Sequence, residues 1–545
     1  MLRTTTKMLS LLVVLVMVFA LAACQTTTTP AATSGAEATK APAATSDDKE
    51  TADAEEPVTS ELPFVSITHY ALGDPPTTPA MDLVQAEWNK LLKGRLNCEL
   101  NQMWVNWTDY MTKYNLLLAS GDQTIDLVET SSTWLELWQN ADRGAWLPLD
   151  DLIPEYAPVT WAEVPPETWD ECRFRGEIVC FPEDAYTQYV NHGIMYRGEW
   201  AEAAGLPLQL TTIEEFEQYC DWIKENKPGV YPIDAGGGVD QSASFWGNWI
   251  KMYTPHIGIL GVSELVYGDS LKDPYTAVTP AFEDDLFLKY VTDMRRWDDK
   301  GFWREDVLNN TASMDESFKA GTSGVRLHHV QTFRGLKYEM DEKLFPGESN
   351  LQMMIWSDVD GGELIQDPIS THGGMAVSAN SQNPERAVMV YEFIRNDEEM
   401  YRLFNWGIQG TQWDIDDEGF KIQPTTYDKS QHEFFSNFWG GRVDKFELPS
   451  RTEWAGIYDL WARLDKDVVP NPYAQFVFDK MPIDAELTTL SSIVTEYRPL
   501  LNFGKAGDPE AAVAEYRNKL TAAGIEAYKA EVQKQLTEYK AYKGD

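Results

Sequence analysis

Tryptophan residues that follow predicted strands or a glycine-rich loop are the first side chains whose type points to a particular chemistry. The chain contains 20 tryptophans. Flat indole rings cover the apolar faces of sugar rings, and amide or carboxylate groups beside them exchange hydrogen bonds with hydroxyl groups. The candidate ligand-binding residues on this reasoning are Trp104, Asn106, Trp107, Glu129, Trp134, Gln241, Trp246, Trp249, Trp356, Trp413 and Trp439.

Packing in a core or between lobes is the alternative for each of these tryptophans, because aromatic rings bury large areas. Trp88 and Trp297 lie on apolar helical stripes and are assigned to the core. We predict that alanine at Trp134 and Trp246 weakens sugar binding strongly. Unchanged affinity in both variants would remove these two residues from the site.

Motifs for catalysis and metal binding are missing from the sequence, which has no HExxH and no GxSxG. The segment 236–238 is Gly-Gly-Gly without the spacing of a phosphate-binding loop. The acidic run 414–419 favours a hairpin turn over a calcium loop, because no Glu falls at the twelfth position. His328 and His329 lie in a predicted strand, so their rings should point to opposite faces. We therefore predict no catalytic residue, no metal and no cofactor.

The five cysteines do not form a disulfide framework, and no CxxC pair occurs. Cys98, Cys172, Cys180 and Cys220 are expected to be buried thiols, with a Cys172–Cys180 bridge as the alternative outside the cytoplasm.

The N-terminus has the layout of an export signal: a basic start, an apolar run over 9–20 that is too short to span a bilayer, and small residues before Cys24. The sequence Leu-Ala-Ala-Cys at 21–24 resembles the bacterial lipobox. This resemblance implies cleavage after residue 23, a lipid such as palmitate on Cys24, and a protein outside the cytoplasm.

Composition separates a tether from a folded body. Residues 25–57 are rich in Thr, Ala, Ser, Glu and Asp and are expected to be disordered.

The net charge of −41 argues against nucleic acid as a partner, because phosphates would be repelled. An enzyme and a binding protein are both compatible with it.

From residue 58 onwards, hydrophobic periodicity predicts alternating strands and helices. Such alternation favours crossover connections and a mostly parallel sheet. The first unit has strands at 63–70, 98–105 and 125–129 with helices at 79–92 and 109–119, and a second α/β unit is expected from about 190 to about 362. A strand at 373–379 and three C-terminal helices follow, and a Thr212-x-x-Glu215 capping box opens a further helix.

Several sequence blocks resemble the extracellular solute-binding lipoproteins of carbohydrate ABC importers, of the large Gram-positive type. Two departures are Gln123-Thr124 in place of a Pro and Cys180 in place of a Gly. The resembling blocks are 117–126, 144–153, 175–182, 196–215, 378–410 and 522–535.

The resemblance implies an α/β, two-lobed periplasmic-binding-protein-like fold (type II-like), with hinge strands and a ligand cleft between the lobes. The expected organisation is a signal peptide at 1–23, a lipidated tether at 24–57, lobe 1 at 58–188 plus about 371–440, and lobe 2 at 189–370 plus about 441–545. Ligands of open α/β sheets lie beyond the carboxyl ends of the strands, which agrees with this cleft.

The implied function is capture of an extracellular oligosaccharide and its delivery to ABC permease subunits, by a monomer held on the membrane through its lipid. The alternatives are an extracellular glycoside hydrolase, which would need a spaced pair of carboxylates, and a receptor for another solute such as a peptide. No eightfold strand–helix repeat supports a hydrolase barrel.

Overall fold

The computed structural model describes residues 62–107, 109–184, 192–234, 245–259, 261–283, 285–310, 313–366 and 369–544. The predicted signal peptide, Cys24 and the tether therefore lie outside the described residues. Across the described ranges, no helix combines the length and the apolar character that a membrane crossing would require.

Sixteen strands are present in the described ranges, and many are short. In chain order they are β1 Val65–Leu72, β2 Cys98–Val105, β3 Leu127–Thr130, β4 Arg173–Phe174, β5 Glu177–Ile178, β6 His192–Arg197, β7 Ile257–Gly258, β8 Tyr267–Ser270, β9 Asp273–Val278, β10 Val325–His329, β11 Leu351–Ile355, β12 Leu364–Gln366, β13 Gly374–Val377, β14 Asp414–Ile415, β15 Lys421–Ile422 and β16 Val468–Pro470.

The α-helices of the described ranges include long ones at the C-terminus. In chain order they are α1 Ala80–Leu96, α2 Tyr110–Ala119, α3 Leu137–Asp142, α4 Leu152–Tyr156, α5 Pro158–Glu163, α6 Pro166–Glu171, α7 Gly198–Ala203, α8 Ile213–Asn226, α9 Trp249–Tyr253, α10 Leu286–Asp299, α11 Met314–Lys319, α12 Val330–Tyr338, α13 Pro384–Asn396, α14 Glu398–Trp406, α15 Lys429–His432, α16 Ile457–Asp467, α17 Asp484–Asn502, α18 Pro509–Ala522 and α19 Ile525–Lys543.

The first lobe is built on a four-stranded sheet in the order β13-β3-β1-β2. β1 pairs in parallel with β2 and with β3, as the alternation of strands and helices predicts. β13 returns from much later in the chain and pairs antiparallel with β3, with Gly374 opposite Thr130. The carboxyl ends of β1, β2 and β3 therefore meet at one edge.

The second lobe differs from the prediction of a second parallel sheet. Its sheet has the order β10-β6-β11, and both outer strands run antiparallel to β6. The reason is that the sequence pattern reports apolar strands but not their direction, which depends on the path of the intervening chain. β6 is buried on both faces, with Ile194 and Met195 in separate hydrophobic clusters.

Local signals set several helix boundaries as the sequence predicts. The Thr212 side chain accepts a hydrogen bond from the Glu215 N–H at 3.1 Å, while the Glu215 carboxylate accepts one from the Thr212 N–H at 3.2 Å. Asp508 caps α18 by accepting from the Ala511 N–H at 2.9 Å. These bonds satisfy the free N–H groups of a helix start.

Two local predictions are resolved by the structure in different ways. The acidic run is confirmed as a hairpin, β14–β15, and the Arg451 guanidinium pairs with Asp416 at 2.8 Å. The prediction for His328 and His329 is wrong, because their ring centroids are 4.0 Å apart and both rings contact Thr332. His329 ends the strand and caps α12, so strand alternation no longer applies there. All four cysteines of the described ranges are buried thiols.

Candidate functional site

Three loops converge where β1, β2 and β3 end, and they carry Gly73, Trp107 and Trp134. The Gly73 N–H donates to the Val105 carbonyl at 2.8 Å, which joins the first two loops. Gly73 has φ +114°, and a Cβ there would lie 2.5 Å from Asn437 Nδ2 and 3.3 Å from Trp107 Nε1. Only glycine therefore allows this close approach.

An aromatic cluster of Trp107, Tyr110, Trp134 and Trp439 lies at this edge. The Trp107 ring centroid is 5.8 Å from that of Trp439, with the planes 26° apart, and 5.9 Å from that of Trp134. Trp134 lies 5.7 Å from Trp439 and 5.9 Å from Tyr110. Trp107 remains 44% exposed, so the aromatic cluster presents a free indole face.

The Trp439–Gly441 turn is held in place by Glu129. The buried Glu129 carboxylate accepts a hydrogen bond from the Gly440 N–H at 3.0 Å, and His69 Nε2 lies 3.5 Å from its other oxygen. Burial raises the pKa of Glu129. A Cβ at Gly440 would lie 2.4 Å from the Gly374 carbonyl carbon, so the turn lies flat on β13. Glu129 is thus a positioning residue for Trp439, and its carboxylate does not face the cavities.

Two cavities lie between the lobes, and each is lined in part by residues of the aromatic cluster. The first, here the Trp134 cavity, has a volume of about 630 Å³ and combines Trp134 and Tyr110 with second-lobe residues such as Phe478. The second, the Trp439 cavity, has about 420 Å³ and combines Trp439 with second-lobe residues such as Trp461. These volumes are in the range of small-molecule sites, so the structure has room for a ligand that contacts both lobes.

The buried His372, which contacts Thr133 next to Trp134, is expected to make the stability of the protein depend on pH. It is buried, its Nδ1 lies 3.0 Å from the Thr133 hydroxyl, and burial lowers its pKa from 6.5 to about 4. The unfolded chain therefore binds a proton as the pH falls below about 6.5 while the folded chain does not. We expect the free energy of unfolding to fall by about 3 kcal/mol between pH 6.5 and pH 4 from this group. Urea unfolding of His372→Gln should show a shallower decline over that window. An unchanged decline would contradict this assignment.

Of the residues proposed from sequence, the structure brings Trp107, Trp134 and Trp439 together. Trp104 is half-buried, with its ring 6.2 Å from Phe435, a lining residue of the Trp439 cavity. The Asn106 side chain is engaged locally, since its Oδ1 accepts from the Asp109 N–H at 2.9 Å.

Four other tryptophans lie in packed positions, contrary to the expectation that they face ligand. Trp246, Trp249 and Trp356 are at most 4% exposed in the core of the second lobe. Trp249 stacks on Tyr290 at 5.6 Å, and Trp356 packs edge-on to Phe245 at 5.7 Å. Trp413 is buried against Trp406 and donates from Nε1 to the Gly407 carbonyl. A position after the end of a strand places a side chain in a loop, but it does not determine whether segments later in the chain bury that side chain.

Gln241 and the glycines at 236–238 lie outside the described residues, so their role stays a prediction.

Sequence reasoning did not propose Tyr110, Lys421 or Arg442 for the site. Tyr110 falls within the helix that the sequence predicts over 109–119. Lys421 and Arg442 line the Trp439 cavity and carried no motif. The aromatic run 434–439 followed by two glycines, outside any predicted helix, is the signal that could have directed attention to this segment.

Within the described ranges, no group of three or more His, Cys, Asp or Glu side chains is arranged to hold a metal ion.

The family is shown by comparison with known proteins. Residues 74–401 match the family described as bacterial extracellular solute-binding protein, and residues 472–541 match a domain of unknown function, DUF3502. The chain belongs to the bacterial extracellular solute-binding protein family. The second match includes residues 477–481, which form a wall of the Trp134 cavity.

Individual relatives extend this finding over most of the chain. A carbohydrate ABC transporter substrate-binding protein of Streptococcus pneumoniae serotype 4 is 21% identical, covering 87% of this chain and 90% of its own. The crystal structure of the N-glycan transport solute-binding protein NgtS from Streptococcus pneumoniae has a TM-score of 0.70 at 18% identity, covering 88% of this chain and 99% of that one. A human-milk-oligosaccharide-binding ABC-transporter-associated protein from Bifidobacterium longum infantis has a TM-score of 0.56 at 12% identity, covering 88% and 99%.

These findings confirm the two-lobed solute-binding fold and the resemblance stated from sequence. They also place the chain on the outer side of the cell membrane and make it a binding protein, not the alternative hydrolase.

Proposed function

We propose that this protein captures an oligosaccharide at the aromatic cluster, between the two lobes, and delivers it to the permease of an ABC importer. The observation that carries the proposal is the aromatic cluster itself: Trp134 and Tyr110 line one interlobe cavity, Trp439 lines the other, and the partly exposed Trp107 ring stacks on Trp439. Apolar ring faces of this kind match the C–H faces of pyranose rings.

The presence of two cavities beside one aromatic cluster supports a ligand of several sugar units. The Trp134 cavity and the Trp439 cavity are lined by different residues of the same cluster, and each carries polar side chains beside its rings. Residues from both lobes line both cavities. Binding can therefore favour closure of the lobes by hinge motion, because a ligand that touches both lobes stabilises the closed form.

The proposal includes a lipid anchor on Cys24, which rests on the lipobox-like sequence. A lipid-anchored receptor stays close to the permease, which raises its effective concentration there. We expect Cys24→Ser to move the protein from the membrane fraction to the soluble fraction in fractionated cells. Retention of the variant in the membrane fraction would contradict the anchor.

A thermal-shift screen tests the ligand class. Neutral and acidic oligosaccharides should raise the melting temperature of the mature protein by mass action where they bind, and chromatography should recover them intact. A rise in the melting temperature with peptides alone would contradict the sugar proposal. Shortened glycans would contradict a pure binding role.

A further inference from the structure

Two cationic side chains line the Trp439 cavity without a direct ion pair to any carboxylate of the described residues. Lys421 and Arg442 make no side-chain hydrogen bond and no ion pair with the described part of the chain. Both are partly buried, and buried cations are otherwise paired in folded proteins. A ligand could supply the missing partner.

The backbone of Lys421 is fixed by two hydrogen bonds to neighbouring segments. Its N–H donates to the Pro449 carbonyl at 2.8 Å, and its carbonyl accepts from the Arg451 N–H at 3.0 Å. The ammonium lies 4.3 Å from the centre of the Trp406 ring. Burial lowers the pKa of Lys421, and the charges of Arg334 and Arg442 add to this, although Glu447 and Glu453 oppose it. The positive charge of the Lys421 ammonium is therefore only partly balanced by nearby carboxylates.

Arg442 is fixed in the same way, directly after the turn that carries Trp439. Its N–H donates to the Trp439 carbonyl at 3.1 Å, and its carbonyl accepts from the Asp184 N–H at 3.1 Å. Burial lowers the pKa of Arg442, but the charges of Glu183 and Glu447 outweigh this effect and raise the pKa above its usual value. These carboxylates act on Arg442 through their charge, without forming an ion pair with its guanidinium in the described ranges. The guanidinium fork thus keeps its donors for a planar oxyanion.

The carboxylates of the cavity have other donors. Glu453 pairs with Arg334 at 3.3 Å, and Glu447 accepts from the Tyr401 hydroxyl at 2.6 Å. Asp444 also lies on this wall. Three cations and three carboxylates line the cavity, so it has no excess of positive charge. Lys421 and Arg442 differ from Arg334 in that they form no ion pair with a described residue.

We propose that the Trp439 cavity is a subsite for the carboxylate of an acidic sugar unit, bound by Arg442 and Lys421 while the ring packs beside Trp439. This inference rests on the proposed oligosaccharide function and deepens it by naming the substrate class. An acidic sugar combines the apolar ring face that the aromatic cluster fits with a carboxylate that can accept hydrogen bonds from the two unpaired cations.

The test compares acidic glycans with counterparts whose carboxylates are masked. The probes are tri-galacturonate and its methyl ester, 3′-sialyllactose and its methyl ester, and a hyaluronan tetrasaccharide and its carboxyl-reduced form, measured by calorimetry on the mature protein. We expect at least one acidic glycan to bind about 10- to 100-fold more tightly than its masked form, as charge-assisted hydrogen bonds allow. Lys421→Met and Arg442→Gln should each reduce that preference.

Controls separate the outcomes. Lys429→Met removes a side chain of the same charge that is 79% exposed and lies outside the cavity. This variant should keep the preference for acidic over masked glycans unchanged. If Arg442→Gln does not fold, Arg442→Lys and the comparison of acidic with masked glycans on the wild-type protein still test whether the cavity binds a carboxylate. A tightest ligand that is neutral, or variants that weaken acidic and masked glycans equally, overturns the acidic subsite but leaves the receptor function intact. No binding to any glycan overturns both proposals.

Discussion

Trp107→Ala is expected to weaken oligosaccharide binding by about 10- to 100-fold while leaving the fold intact. The ring is 44% exposed and stacks on Trp439, so its free face is available to a ligand. Covering one large aromatic ring with apolar ligand surface contributes about 1.5–3 kcal/mol, which corresponds to that loss. Calorimetry with the glycan found in the thermal-shift screen measures the effect.

Trp161→Ala provides a matched control. Trp161 is 38% exposed and its ring lies 5.4 Å from Trp169, on helix α5 and outside the aromatic cluster. It should leave the affinity unchanged. Trp107→Phe should keep part of the affinity because a smaller aromatic face remains. Equal affinities for wild type and Trp107→Ala would remove the aromatic cluster from the binding site.

Trp356→Ala is expected to have the opposite effect, with a large loss of stability and unchanged affinity in the molecules that fold. Trp356 is 1% exposed and packs against Phe245 in the core of the second lobe. Removing a buried ring of this size leaves a cavity and costs about 3–5 kcal/mol. Urea unfolding monitored by circular dichroism measures the free energy of unfolding.

Trp356→Phe serves as the conservative comparison, since it keeps an aromatic ring in the core and should lose less than half as much stability. A Trp356→Ala protein that unfolds like wild type but binds glycan weakly would restore the interpretation of Trp356 as a ligand contact. The same reasoning applies to Trp246, whose ring is buried against Phe287 and Tyr290.

The sequence alone was sufficient for features that depend on near neighbours in the chain. The parallel order of β1, β2 and β3 followed from the alternation of strands and helices, and the Thr212 capping box formed as written. The loops of Trp107 and Trp134 were placed at one edge, because the carboxyl ends of parallel strands must meet there. The export signal and Cys24 were also read from sequence, but they lie outside the described residues.

Tertiary structure decided which side chains at those loops face open space. Trp107 and Trp356 both follow strands, yet one is exposed and the other is covered by Phe245 and its neighbours from distant segments. Trp439 joins the aromatic cluster only because Glu129, more than 300 residues earlier, holds the turn at Gly440. Sequence periodicity reports which side chains are apolar along one element. Burial of a loop residue and pairing of Lys421 or Arg442 depend on contacts between segments far apart in the chain, and these exist only after folding.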